Sequence, residues 1–270
     1  MILNHSNGLL LMRHDNLGER SWRSDDCYKL IFSPIGKGIY QTNQRDVSID
    51  TSHFMILNPG HEHRQVYVKE EKFLVEIKQP LLKDVADQLG INMREPEFAL
   101  LSYKNAHLNK WISFIREYIS LSEGPTLETK EFFIDNSITQ LAILMLQYGP
   151  GVHHEELPHS NLPGNITNVV DAVRQSYDIN WSLDDMAALS GLNKFQFAHT
   201  FKEETGLSPY SWLQLYRLVR SQHLLKQTKE SILSIALTVG FKNVSSYNNL
   251  FKKVYGRTPT EFRLFYRKNS

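Results

Sequence analysis

One unit is written twice between Ser182 and Phe262, and that duplication restricts the C-terminal part of this chain to very few folds. The first copy reads SLDDMAALSGLNKFQFAHTFKEETGLSPYSW from Ser182 to Trp212, and the second reads SILSIALTVGFKNVSSYNNLFKKVYGRTPTEF from Ser231 to Phe262. Ser182 pairs with Ser231, Ala187 with Ala236 and Gly191 with Gly240. After a one-residue insertion at Lys242, Asn193 pairs with Asn243, Phe201 with Phe251, Gly206 with Gly256, Pro209 with Pro259 and Trp212 with Phe262. Two copies are too few to stack as a solenoid, so the pattern is a duplicated supersecondary unit.

Each copy has the physics of a helix-turn-helix. Ser182 with Asp185 three residues on suits an N-cap with a back-reaching carboxylate, and Ser231 opens the second copy likewise. A short helix follows, with Ala187 or Ala236 where a neighbour crosses closely. Gly191 and Gly240 supply the left-handed residue that ends it. Asn193 and Asn243 then cap a second helix, whose Phe197/Phe201 and Tyr247/Phe251 pairs lie on one face as core. On the other face Phe195, Ala198, His199 and Lys202 recur at helical spacing, and Ser245, Asn248, Asn249 and Lys252 repeat it. These are two candidate reading faces. Phe195, Ala198, His199, Ser245, Asn248 and Asn249 are the candidates for base edges, because Asn pairs bidentately with adenine and apolar groups pack on a thymine methyl. Lys194, Lys202, Lys252 and Lys253 are the candidates for phosphates. Arg217 and Arg220 stay open between phosphate contact and pairing within the domain.

LDDMAALSGL, FKEETGLSPYSWL, YRLVRSQHLL, SIALTVGF and FKKVYGRTPTEFR together resemble the AraC/XylS family of bacterial transcription regulators, and the resemblance extends over essentially the whole chain. It implies double-stranded DNA and RNA polymerase as partners, activation more often than repression, a homodimer, and an N-terminal cupin-like barrel that binds a small-molecule effector or dimerises. It also implies no catalysis and no cofactor. Recognition helices in the family often carry Arg where this chain has His199 and Asn249, which points to an A·T-leaning site.

Charge supports a polyanion partner for one half only. Residues 164–270 hold fourteen Lys and Arg against eight Asp and Glu, a balance of +6, while the preceding 163 hold sixteen against twenty-one, or −5. Hydrophobic content of 41% and aromatic content of 11% support packed cores. The single cysteine, Cys27, excludes an internal disulfide and fits a reducing cytoplasm. No signal peptide is read at the N-terminus, and no stretch reaches the roughly 20 apolar residues of a membrane span.

The expected fold class is multidomain α+β. Residues 1–148 form a barrel with two flanking helices, 149–165 a linker, and 166–270 an all-α domain of two helix-turn-helix units joined by a long helix. Before residue 80, strands are read at Tyr28–Phe32, Gly38–Gln41, Arg45–Ile49, Phe54–Leu57, Gln65–Val68 and Phe73–Ile77, separated by Pro, Gly and Asn, as in a small barrel or sandwich. A hollow interior would be lined by Trp22, Tyr28, Tyr40, His61, His63 and Tyr67. His61 and His63 alternate as a metal-binding pair would, but the carboxylate expected four or five residues later is replaced by Tyr67 and Val68, so no metal is assigned. Helical spacing follows at Leu108–Ile119 and Phe132–Met145, for barrel cover or dimer contact. The linker GPGVHHEELPHSNLPGN carries His153, His154 and His159, expected to be solvent-exposed. Two competing readings are a regulator governed by a protein partner without a small ligand, and a cupin-type metalloenzyme.

Overall fold

The structure is a computed structural model describing residues 1–91, 93, 95–121, 124–158 and 162–268. It divides into two compact units, Met1–His153 and His154–Ser270.

Among the described residues the first unit is built on eight strands. These are β1 (Ile2–His5), β2 (Gly8–Arg13), β3 (Cys27–Ser33), β4 (Gly36–Thr42), β5 (Asp46–Asp50), β6 (His53–Leu57), β7 (His63–Glu70) and β8 (Lys72–Lys78). They form two antiparallel sheets, one ordered β1-β2-β8-β3-β6 and the other β5-β4-β7. Strand alternation sends one set of side chains from each sheet into the space between them. There Ile31, Tyr40, Val47, Ile49, Met55, Leu57, Val68 and Leu74 make a buried core, edged by Leu9, Leu11 and Leu17. The hairpin β1–β2 was not foreseen. Its run LLLM has no polar alternation, because Leu10 and Met12 are buried on one face while Leu9 and Leu11 edge the inter-sheet core on the other.

Three helices accompany the sheets: α1 (Gln79–Gln88), α2 (Ala106–Ser120) and α3 (Leu127–Tyr148). Asn105 caps α2 by accepting from the amides of His107 and Leu108, and Thr126 caps α3. At the other end of α2, the buried Lys130 ammonium donates to the carbonyls of Ile119 at 2.8 Å and Leu121 at 2.6 Å. A cation there complements the negative end of the helix dipole. The segment from Gly149 is not a free linker. Gly151 bridges Phe98, Val152 is buried, and the His153 ring stands edge-on to Phe98 and hydrogen-bonds the Leu146 carbonyl. His153 and His154 are half-buried rather than exposed, and at His153 the Phe98 ring takes up chain that composition alone marked as linker. His159 lies outside the described residues.

The second unit holds α4 (Gly164–Gln175), α5 (Leu183–Ser190), α6 (Lys194–Thr205), α7 (Pro209–Gln227), α8 (Ile232–Thr238), α9 (Val244–Tyr255) and α10 (Pro259–Lys268). The caps fall where the duplication puts them. Ser182 and Asp185 form a reciprocal capping box, Ser231 accepts from the Ser234 amide, and Asn193 and Asn243 cap α6 and α9. The helix α7 packs against α5 and α6 of the first copy and against α8 and α10 of the second. Phe201 meets Trp212 edge-on at 6.2 Å and Trp212 stacks on Tyr216 at 5.3 Å. In the second copy Phe251 meets Phe262 at 5.2 Å and Phe262 meets Tyr266 at 4.4 Å.

Gly191 and Gly240 look equivalent in sequence but differ in surroundings. Both have positive φ, 68° and 89°. A Cβ on Gly191 would enter open space, whereas one on Gly240 would meet the Asp178 carbonyl oxygen at 2.5 Å and the Arg217 guanidinium at 2.9 Å. Gly191→Ala therefore costs only the left-handed conformation, about 1 kcal/mol. Gly240→Ala adds overpacking and costs on the order of 3 kcal/mol. Denaturant unfolding of the two variants reads the difference, and equal losses would contradict the close approach at Gly240.

Candidate nucleic-acid interface

The outer faces of α6 and α9 are set from inside. Phe197 and Phe201 on α6, and Tyr247 and Phe251 on α9, are fully buried, which fixes the rotation of each helix about its axis. On α6 that rotation leaves Phe195, His199 and Lys202 exposed and Ala198 half-buried. Phe195 is 86% exposed, the most exposed large hydrophobic side chain among the described residues of this unit. On α9, Ser245, Asn249, Lys252 and Lys253 are exposed. Asn248 is half-buried, with its side-chain oxygen out of solvent and unpaired. Asn249 is therefore the better presented of the two amides.

The four candidate phosphate lysines are not equivalent. Lys194 donates to Asp184 on α5 at 2.8 Å, so its ammonium already has a counter-charge. Asp184 escaped the sequence reading because the pair joins two helices ten residues apart, a spacing no single-helix pattern reveals. Lys202, Lys252 and Lys253 have no ion-pair partner among the described residues. Arg217 is buried and donates to the carbonyls of Tyr177 and Ile179 at 2.7 Å each, and Arg220 lies over the Tyr177 ring at 5.8 Å. Both are engaged within the unit, Arg217 buried and Arg220 half-buried.

The residues expected to line a hollow barrel do not come together. Tyr28 lies on the face of β3 opposite Ile31, away from the inter-sheet core, where it meets Phe98 edge-on and donates to the Pro96 carbonyl at 2.6 Å. Trp22 is 50% exposed beneath the Arg64 guanidinium, and Tyr67 is exposed. His61 precedes β7 and approaches Gln44, so it does not share a strand face with His63. The strand-alternation argument for a histidine pair fails because β7 starts at His63. Among the described residues no group of three or more His, Cys, Asp or Glu is placed to hold a metal. Tyr40 and His63 are the two that face the space between the sheets. Burial holds the His63 imidazole below its ordinary pKa, so it is neutral near pH 7.

Residues 186–264 match the helix-turn-helix domain family. MtrA, an HTH-type transcriptional regulator of Neisseria gonorrhoeae, is 31% identical over 96 residues, 36% of this chain and 32% of MtrA. The TetD protein of transposon Tn10, from Escherichia coli, is 33% identical over 98 residues, 36% of this chain and 71% of TetD. The HTH-type transcriptional activator RhaR of Mannheimia succiniciproducens is 22% identical over 242 residues, 88% of this chain and 85% of RhaR. Several curated relatives are spanned only in part: the match covers about a third of MtrA, and 55% of the Msm operon regulatory protein of Streptococcus mutans.

The Asp184–Lys194 pair sets up a test on duplex DNA. Asp184→Asn removes a negative charge beside the first reading face and frees Lys194. Affinity rises, and the slope of log K against log salt steepens by about one, the increment for one further phosphate contact. An unchanged slope would place Lys194 away from the phosphates.

Proposed function

Because this chain belongs to the AraC/XylS family of transcription regulators, we propose that it is a sequence-specific DNA-binding regulator whose two recognition helices enter successive major-groove segments. The observation that carries the reading is the matched display of α6 and α9. Each is capped by an Asn, fixed by buried aromatic rings, and shows polar, basic or apolar side chains to solvent at equivalent positions. The rigid α7 joins the two copies, and recognition helices one DNA turn apart, about 34 Å, would read one face of a duplex. Asn249 reads a base and Phe195 packs on a thymine methyl, which gives an A·T-leaning site. Lys202, Lys252 and Lys253 hold phosphates.

The two-sheet architecture of the first unit supports a cupin-like domain that senses a small molecule. Exposed aromatic groups on α2 and α3, Phe114 and Phe132, support these helices as a homodimer surface. RhaR, a relative named a transcriptional activator, favours activation, for which RNA polymerase is the partner we infer. The chain would act without catalysis and without a cofactor, in the cytoplasm. Among the described residues no helix is long and apolar enough to cross a membrane.

Binding-site selection from random duplexes tests the reading. Asn249→Ala relaxes preference at one base position, at a cost on the order of 1–3 kcal/mol for the preferred sequence, while Lys252→Ala weakens all sequences alike and lowers the salt slope by about one. Uniform weakening by Asn249→Ala would move Asn249 to the backbone. Absence of any selected sequence would remove the regulator reading.

A further inference from the structure

The two copies of the second unit share a scaffold but not a charge. Between Ser182 and Leu207 the first copy holds Lys194 and Lys202 against Asp184, Asp185, Glu203 and Glu204, a balance of −2. Between Ser231 and Arg257 the second holds Lys242, Lys252, Lys253 and Arg257 with no acid, a balance of +4. All of these side chains are exposed except Arg257, which is half-buried with its guanidinium 4.6 Å from the centre of the Phe265 ring.

The difference falls at equivalent points of equivalent helices. α6 and α9 each run twelve residues, start after a capping Asn and end at a left-handed glycine, Gly206 at φ 78° and Gly256 at φ 73°. Counted back from those glycines, Lys202 matches Lys252 and Glu203 matches Lys253. Where the second helix carries an ammonium, the first carries a carboxylate. Near the other end of α6 the Asp184–Lys194 pair is self-neutralising, and Leu233 and Val244 take those positions in the second copy. Docked alike on a duplex, Glu203 would repel the phosphates that Lys253 attracts, because charges within roughly 10 Å are poorly screened at 0.1 M salt. Phosphate attraction supplies the sequence-independent part of affinity, so that part lies with the second copy. The exposed Asn249 amide adds base recognition on the same helix.

We propose that the second copy anchors the chain on double-stranded DNA, and that the first copy enters its groove segment only on a duplex the second already holds. The joining helix α7 then presents the first copy to the neighbouring segment at high local concentration, which offsets its unfavourable charge. This rests on the reading of the chain as a DNA-binding regulator, and it names which helix carries the binding.

Duplexes derived from the selected site test it, with one segment or the other replaced by random sequence. The segment in which Asn249→Ala relaxes base preference belongs to the second copy. Randomising that segment weakens binding of the full chain more than randomising the other, by at least about fivefold, the lower bound for one bidentate base contact. Lys253→Glu flattens the slope of log K against log salt by about one, while Glu203→Lys steepens it by about one. Thermal unfolding of each variant checks that these exposed substitutions leave the fold intact. A smaller difference between the two segments, the reverse order, relaxation in neither segment, or an unchanged slope in folded Lys253→Glu overturns the anchoring role. Any of these with DNA binding retained removes this inference alone, whereas failure of the unaltered chain to select any sequence removes the regulator reading.

Discussion

Two aromatic ladders hold the second unit, and everything it displays follows from them. Phe197, Phe201, Trp212 and Tyr216 contact one another in sequence, and Tyr247, Phe251, Phe262 and Tyr266 repeat the arrangement in the second copy. Each ring contact contributes about 0.5–1.5 kcal/mol beyond the area it buries. The larger effect is geometric. A helix pinned at two positions one turn apart cannot rotate, so its outer face is fixed whatever residues occupy it. The ladders also share one support. Trp212 and Tyr216 project from the same helix that carries Ser221, which hydrogen-bonds the Tyr247 hydroxyl at 3.1 Å. The two reading helices are therefore braced by a single rod.

Given equal scaffolds, the difference between the copies lies in their outer faces. The first offers a bare phenyl ring, an imidazole and a lysine already engaged by Asp184. The second offers Ser245 and the Asn249 amide beside two lysines without acid partners. Apolar contact discriminates by shape and methyl groups, while an amide discriminates by paired donors and acceptors. The second copy thus carries the amide, and the first the bare apolar ring. The Asp184 carboxylate lessens the electrostatic pull of the first copy, and with it the part of affinity that carries no sequence information.

What could be read in advance divides by the range of the forces involved. Caps, helix ends and the inward aromatic pairs were legible, because each is decided within about four residues: Ser182 with Asp185, Asn193 at the start of α6, Phe197 with Phe201. Placement that depends on a distant partner was not. Nothing near Tyr28 announces that Phe98 waits on one face of β3. Nothing near Val152 announces that Glu97 accepts its amide, at 2.9 Å. The hairpin β1–β2 was missed for a related reason, since a strand with apolar groups on both faces carries no alternation to detect. His61 and His63 show the converse error, an alternation read across a strand boundary.

The same division explains why the charge cluster of the first unit was invisible. Arg23, Asp25, Lys29, Lys72 and Glu76 are spread over more than fifty residues and read individually as solvated surface. Only the register that sets β3 beside β8 brings Lys29 to Glu76. For stability alone such a cluster is a poor choice, because apolar groups of similar volume in place of buried ion pairs are often neutral or stabilising. The Asp25–Lys29–Glu76 set holds one cation between two acids, and the half-exposed Arg23 completes its balance. Lys72 has no carboxylate within ion-pair distance among the described residues: Gln65 offers it a dipole and Tyr40 a ring face, and neither carries a full negative charge. Burial without a carboxylate partner brings the Lys72 ammonium down to about 8, a desolvation cost that the dipole and the ring face offset only in part.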